Sequence, residues 1–160
     1  MLNRTYDTQN CSVARALELV GERWSLLIVR DLMLGYRRFD ALHERLGIAR
    51  NVLTSRLELL VDEGVLERRL YQERPPRYEY HLTAKGRDLW PVIIALHSWG
   101  DRYLQESGPP VVIEHRGCGG RINDRRICEH CGAELTIFDA QVKKGPGARD
   151  EPGVVVPVPA

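Results

Sequence analysis

This 160-residue chain lacks long apolar runs: no stretch of 18 or more hydrophobic residues occurs, which excludes a membrane-spanning helix. Residues 1–10 are polar and lack the apolar centre of a secretory leader, so the expected compartment is the cytoplasm. Lysine is scarce, with Lys85, Lys143 and Lys144 standing against twenty arginines. An excess of one charge sign is also missing, the formal net charge being +1. That balance argues against a bulk attraction for nucleic acid, but binding depends on where the basic groups lie. Arginine offers a planar fork of donors suited to phosphates and guanine edges, although an arginine-rich proteome gives the same bias. No phosphate-cradling glycine loop, Ser/His/Asp set or paired-carboxylate motif is present, so an enzyme is not expected.

What is present is helical periodicity punctuated by glycine. Val13, Ala16, Leu17 and Val20 recur at helical spacing up to Gly21. A second helix is predicted over 22–34, with Trp24, Leu27, Ile28 and Leu32 as its buried stripe, ending at Gly35. Phe39, Leu42 and Leu46 mark a short third helix that closes at Gly47. The next segment, 48–60, is the most informative. Leu53, Leu57 and Leu60 share one face, while Arg50, Asn51, Thr54, Ser55 and Arg56 occupy the helix start and the other face. A helix that is cationic, polar and almost free of acid over its first two turns suits a DNA major groove. Taken alone, the same pattern also describes an ordinary solvated face.

Context decides between these readings. After Gly64, strands are predicted over 65–72 and 77–82, the second alternating Tyr78, Tyr80 and Leu82 against Arg77, Glu79 and His81. Between them lies the stiff turn Glu73-Arg74-Pro75-Pro76. Helices followed by a hairpin with a basic tip describe a winged helix-turn-helix. Its fourth helix would read bases, and Arg74 and Arg77 would meet the backbone or minor groove. Tyr78, Tyr80 and Leu82 are expected to pack on the helical core, because an isolated hairpin is marginal in water. Thr83 can cap a long helix reaching about residue 105, bent at Pro91. Its stripe of Leu89, Val92, Ile93, Leu96, Trp99 and Tyr103 suits a dimer seam, or packing back on the first helix.

From Cys11 to Gln105 the chain resembles the HxlR-type family of bacterial winged-helix regulators, within the MarR-like superfamily. The resemblance is carried by NCSVARALELVGERWSLLIVRDL, RRFDAL, LTSRLELLVDEGVLERR and PPRYEYHLTAKGRDL, in that order. It implies a homodimer, joined through the first and last helices, on pseudo-palindromic double-stranded DNA in the nucleoid. It also implies a regulator, many of whose relatives repress or activate neighbouring genes. Repression is the expected direction here, and the resemblance leaves room for a small-molecule or oxidant effector. By the same resemblance Arg50, Asn51, Thr54 and Arg56 correspond to the reading helix and Arg74 and Arg77 to the wing. Cys11 matches a position where some relatives carry an oxidant-sensing cysteine. A thiolate near a helix N-terminus with Arg15 one turn away is stabilised, while an inert, buried thiol at the dimer seam is the alternative.

The other cysteines are Cys118, Cys128 and Cys131. His115 and Cys118 form an H-x2-C pair and Cys128 and Cys131 a C-x2-C-G pair, joined by a short hairpin. Two ligand pairs on glycine-backed turns describe the knuckles of a zinc ribbon, whose closed Cys/His set is typical of structural zinc. A Cys128–Cys131 redox pair and His130 as an alternative ligand are the rivals; iron normally takes four thiolates. The fold expected is mainly α with a small β wing, plus a small β zinc-ribbon-like C-terminal segment. The divisions expected are 1–106 for the DNA-binding domain, 107–139 for the ribbon, and 140–160 for a disordered tail. Leu135, Ile137 and Phe138 are expected to add a strand that docks on the main domain. Two further functions compete with the regulator. One is a zinc-ribbon interaction module with secondary DNA contact, and the other is a thiol-redox protein acting through Cys11 or, as an enzyme, through Cys128 and Cys131.

Overall fold

A computed structural model of the chain describes residues 10–148. The polar leader (except Asn10) and the end of the expected tail therefore lie outside the described residues. The chain divides into two compact units, Met1–Gly86 and Arg87–Ala160.

The first unit follows the glycine punctuation. Helices α1 (Ser12–Val20), α2 (Ser25–Met33), α3 (Phe39–Leu46) and α4 (Arg50–Asp62) precede an antiparallel hairpin of β1 (Leu66–Gln72) and β2 (Arg77–Leu82). Gly47 ends α3 at φ 60°, a left-handed conformation that costs glycine little, and it turns the chain directly towards α4. Buried Ile28, Val29, Leu32, Leu42, Ile48, Leu53, Leu57, Leu60, Val65 and Leu66 form the core. One charged group shares it: Asp31 is fully buried, taking Arg30 Nη2 at 2.8 Å and Arg45 Nε at 3.3 Å. Arg45 also donates to Tyr36 Oη at 3.1 Å and lies over its ring, so α2 and α3 are tied together by a satisfied polar cluster.

The hairpin register pairs Leu66 with Leu82, Arg68 with Tyr80, and Leu70 with Tyr78. Only its base reaches the core. Tyr78, expected there, is 36% exposed, because it sits four residues out along the ribbon from Leu82's end of the pairing; Arg68 covers its ring at 4.3 Å instead. The loop before α3 adds a third edge: Tyr80 N donates to Arg37 O at 2.8 Å, and Arg38 bridges to Glu79.

Thr83 caps as expected, its Oγ1 accepting from Gly86 N at 3.2 Å. The helix it starts is short, however. It ends after α5 (Ala84–Arg87), and a separate α6 (Trp90–Leu104) follows. Pro91 stands in the first turn of α6, where a missing N–H is harmless; inside a continuous helix its ring would collide with the carbonyl four residues back. The proline therefore breaks rather than bends the predicted helix.

In the second unit, β3 (Val111–His115) pairs antiparallel with β4 (Ala140–Lys144), from Val111 opposite Lys144 to His115 opposite Ala140. This corrects two expectations. Residues 140–144, placed in the tail, form a strand, because β3 needs a ladder partner and Ala140 is buried there. Leu135, Ile137 and Phe138 form no strand. Thr136 and Asp139 close a turn across Ile137 and Phe138, Phe138 is 72% exposed, and Leu135, buried, donates its N–H to Arg126 O. Between the two strands lie the short bridges Glu114 to Arg121, Ile122 to Cys128 and Ile127 to Glu134.

Candidate nucleic-acid interface and metal cluster

Helix α4 turns three of its four leucines, Leu53, Leu57 and Leu60, fully inward. The 3.6-residue period then sets Arg50, Asn51, Thr54 and Ser55 on the exposed face, with Glu58 below them. Arg50 leans on the preceding helix: its Nη1 lies 3.1 Å from Asp40 Oδ1 and its guanidinium 4.7 Å from the Phe39 ring centroid. Both partners of that ion pair are largely exposed, so the contact positions the arginine without trapping it. Arg56 departs from the sequence expectation. It falls on the border of the leucine stripe, one turn before Leu60, and its Nε stands 3.2 Å from Glu22 Oε2. That carboxylate also accepts from Trp24 N at 3.1 Å, so Arg56 serves the junction before α2 rather than the exposed face.

Arg74 and Arg77 are both exposed at the tip of the hairpin. Gln72 Nε2 donates to the carbonyls of Arg74 and Pro75, at 3.1 and 3.3 Å, which holds the turn from inside. Four more arginines belong to this ribbon: Arg37 and Arg38 at its added edge, and Arg68 and Arg69 on β1. Arg38 is committed to Glu79 at 3.0 Å and to the Tyr71 ring at 4.5 Å. The basic pair ahead of Phe39 was the signal in the sequence, and it was missed because the loop's pairing with β2 is non-local. His81, facing Arg69 and Arg37, is held below its usual range, first by burial and then by these cations.

The second cluster is made by residues 115–131. The donor atoms of His115, Cys118, Cys128 and Cys131 all lie within 4.8 Å of one another. His115 Nδ1 is 3.2 Å from Cys131 Sγ and 3.3 Å from Cys118 Sγ, and the Cys118 and Cys128 sulfurs are 3.5 Å apart. A tetrahedral ion with Zn–S of about 2.3 Å and Zn–N of about 2.1 Å would have edges of about 3.6–3.8 Å, so the set is close to ligating size. Each ligand pair is closed by a left-handed glycine, Gly119 at φ 71° after His115/Cys118 and Gly132 at φ 74° after Cys128/Cys131. Cys128, buried, accepts backbone N–H bonds from Cys131 and His130; with the neighbouring thiols these outweigh burial and bring its pKa down to about 6. The Gly120 amide pulls Cys118 down, but burial and its bonds to Cys128 and Cys131 prevail and raise it. His130 is absent from the cluster and exposed, so the alternative fourth ligand is not supported. The four residues can hold a metal ion.

The HxlR-like helix-turn-helix family matches residues 19–108. The chain belongs to the HxlR family. An uncharacterized HTH-type transcriptional regulator of Mycobacterium tuberculosis is 50% identical over 137 residues, 85% of this chain and 87% of the relative. A match of that length must take in the His115–Cys131 segment as well as the winged helix. Among solved structures, a candidate transcription factor superposes with a TM-score of 0.65 at 36% identity, covering 83% of this chain and 94% of its own. The redox regulator HypR in its oxidized form reaches 0.54 at 30% identity, covering 57% and 96%. This HxlR protein is thus a transcriptional regulator with a helix-turn-helix DNA-binding fold, and the winged architecture expected from the sequence is the one observed.

The remaining thiol of the HxlR chain, Cys11, is exposed at the N-cap of α1. Its pKa is lowered by the backbone amides of Ala14 and then Val13. The direction expected from the helix terminus is found, but Arg15 is not among its causes. No helix among the described residues is long and apolar enough to cross a membrane.

Proposed function

We propose that this HxlR protein is a homodimeric repressor that reads a pseudo-palindromic operator with α4 and grips the flanking backbone with the wing. The observation that carries this reading is the exposed row Arg50, Asn51, Thr54 and Ser55, at the start of a helix whose other face is anchored by fully buried Leu53, Leu57 and Leu60. Arginine and asparagine make the bidentate contacts that distinguish guanine and adenine in the major groove. Arg74 and Arg77, exposed at the tip of the hairpin, supply sequence-independent affinity. Arg56 is left out of the reading set.

The dimer is supported by exposed apolar surface on two helices. On α6, Val92, Leu96, Trp99 and Tyr103 recur at spacings of four, three and four, and are 41–62% exposed. On α1, Val13 and Leu17 are 65% and 46% exposed. Rows of this size are covered in stable proteins, and a second copy is the partner that a two-fold operator requires.

The metal in the His115/Cys118/Cys128/Cys131 cluster is proposed to be zinc. One nitrogen and three thiolates in a closed set suit it, leaving no position open for a water and hence no catalytic role. A second reading, sensing of oxidants at Cys11, is favoured by the exposed, lowered thiol and by the likeness to a redox regulator.

The test of the reading helix is binding to the chain's own promoter DNA, by anisotropy at fixed salt. Replacing Arg50 and Asn51 by alanine should weaken specific binding by roughly tenfold or more per residue. It should leave non-specific binding nearly intact. Equal operator affinity in the double variant would overturn the assignment.

A further inference from the structure

We propose that the His115/Cys118/Cys128/Cys131 cluster is an oxidative modification site for hydroperoxides, at which Cys118 and Cys128 join in a disulfide and the ion is released. The inference rests on the reading that the cluster holds zinc, and extends it from a structural ion to a reporter of oxidant. Three observations carry it. Cys118 and Cys131 are exposed to solvent, whereas Cys128 is 1% exposed, so an oxidant can reach one sulfur of the reacting pair and not the other. The Cys118 and Cys128 sulfurs are 3.5 Å apart on turns that the Ile122–Cys128 bridge holds together, so only a small approach separates them from bonding. And the segment has little else to hold it: its buried apolar residues are Ile113, Cys128, Leu135 and Ala140. A fold of that size depends on its ion.

The chemistry balances with one hydroperoxide per chain. The Cys118 thiolate attacks the terminal oxygen of the hydroperoxide; the O–O bond breaks, hydroxide from hydrogen peroxide (or alkoxide from an organic hydroperoxide) leaves and takes a proton to become water or alcohol, and Cys118 becomes a sulfenic acid. The Cys128 thiolate then attacks the Cys118 sulfur. The S–S bond forms, the S–O bond breaks, and the second hydroxide leaves as water after taking a proton. Two thiolates have lost two electrons to the peroxide, and zinc keeps its charge throughout. His115 and Cys131 remain, and two ligands do not retain a structural zinc ion.

The experiment uses the full chain with Cys11→Ser, which removes the separate chemistry of that thiol. Zinc is first measured by elemental analysis in the reduced protein. Hydrogen peroxide is then added in steps while a chromogenic chelator reports free zinc and peptide mapping reports cysteine state. The expected result is about one zinc per chain, released in step with about one equivalent of peroxide. A Cys118–Cys128 disulfide should appear in parallel, and thiol reductant with added zinc should restore the starting state. Zinc that is present but retained, or lost only as sulfinic or sulfonic acid accumulates without the disulfide, overturns the inference and leaves the zinc reading standing. A different disulfide overturns the assignment of Cys128 as the resolving thiol. Reduced protein without zinc defeats the metal reading, and this inference with it.

Discussion

Gly120 leaves no room for a side chain. A Cβ built on it would stand 2.5 Å from His130 Cβ and 2.6 Å from Cys128 Sγ, inside contact distance of a sulfur that cannot yield without leaving the cluster. Gly120→Ala is therefore expected to weaken zinc retention by about 10–100-fold, the usual cost of disturbing the shell around a ligand. Competition with a chelator measures this; unchanged retention would show that the second knuckle is not held as described. Arg56 makes the opposite kind of prediction. Because it pairs with Glu22 at 3.2 Å, Arg56→Ala should cost about 1 kcal/mol of stability in thermal unfolding. It should leave the preference between operator and mismatched sites unaltered, whereas loss of specificity would return it to the reading face. The two residues also show what a sequence tells at this scale. The ligand pairs H-x2-C and C-x2-C-G were legible because each knuckle is made by four consecutive residues. Arg56 was not, since it stands at the edge of the buried stripe and a residue 34 positions earlier decides which way it turns.

At the scale of elements, the tie between α2 and α3 is a charge with nowhere else to go. Asp31 is wholly buried between Arg30 and Arg45, and Asp31→Ala would leave two cations facing a void. Both arginines keep some access to water, so the expected loss is about 2–3 kcal/mol, read from urea unfolding, below the cost of stranding a fully buried charge. A loss under about 0.5 kcal/mol would contradict the described network. Helix existence and order were readable from glycine spacing and leucine periodicity, and β2 was placed at its observed bounds. Three features were not. Pro91 was read as a bend although its position two residues past Leu89 suits a new start. Tyr78 was assigned to the core by alternation, which gives the face of a strand and not its distance from the helices. The strand Ala140–Lys144 was hidden by tail-like composition, because its partner lies about thirty residues earlier and only that pairing makes it a strand.

At the scale of the whole molecule, a chain with a formal charge of +1 is expected to bind DNA by placement of its arginines rather than by bulk attraction. Assembly should follow the exposed row on α6. Leu96→Glu with Trp99→Glu is expected to give a monomer by light scattering, with operator affinity falling as the second half-site is lost. A dimer that survives both charges would place the seam elsewhere. The most direct test of the central claim, that α4 reads a specific operator, is genome-wide mapping of bound DNA for the native chain and for Arg50→Ala with Asn51→Ala. The account predicts a shared two-fold motif under the native peaks, with those peaks lost in the variant. Native peaks without a common motif, or the same motif recovered from the variant, would contradict it.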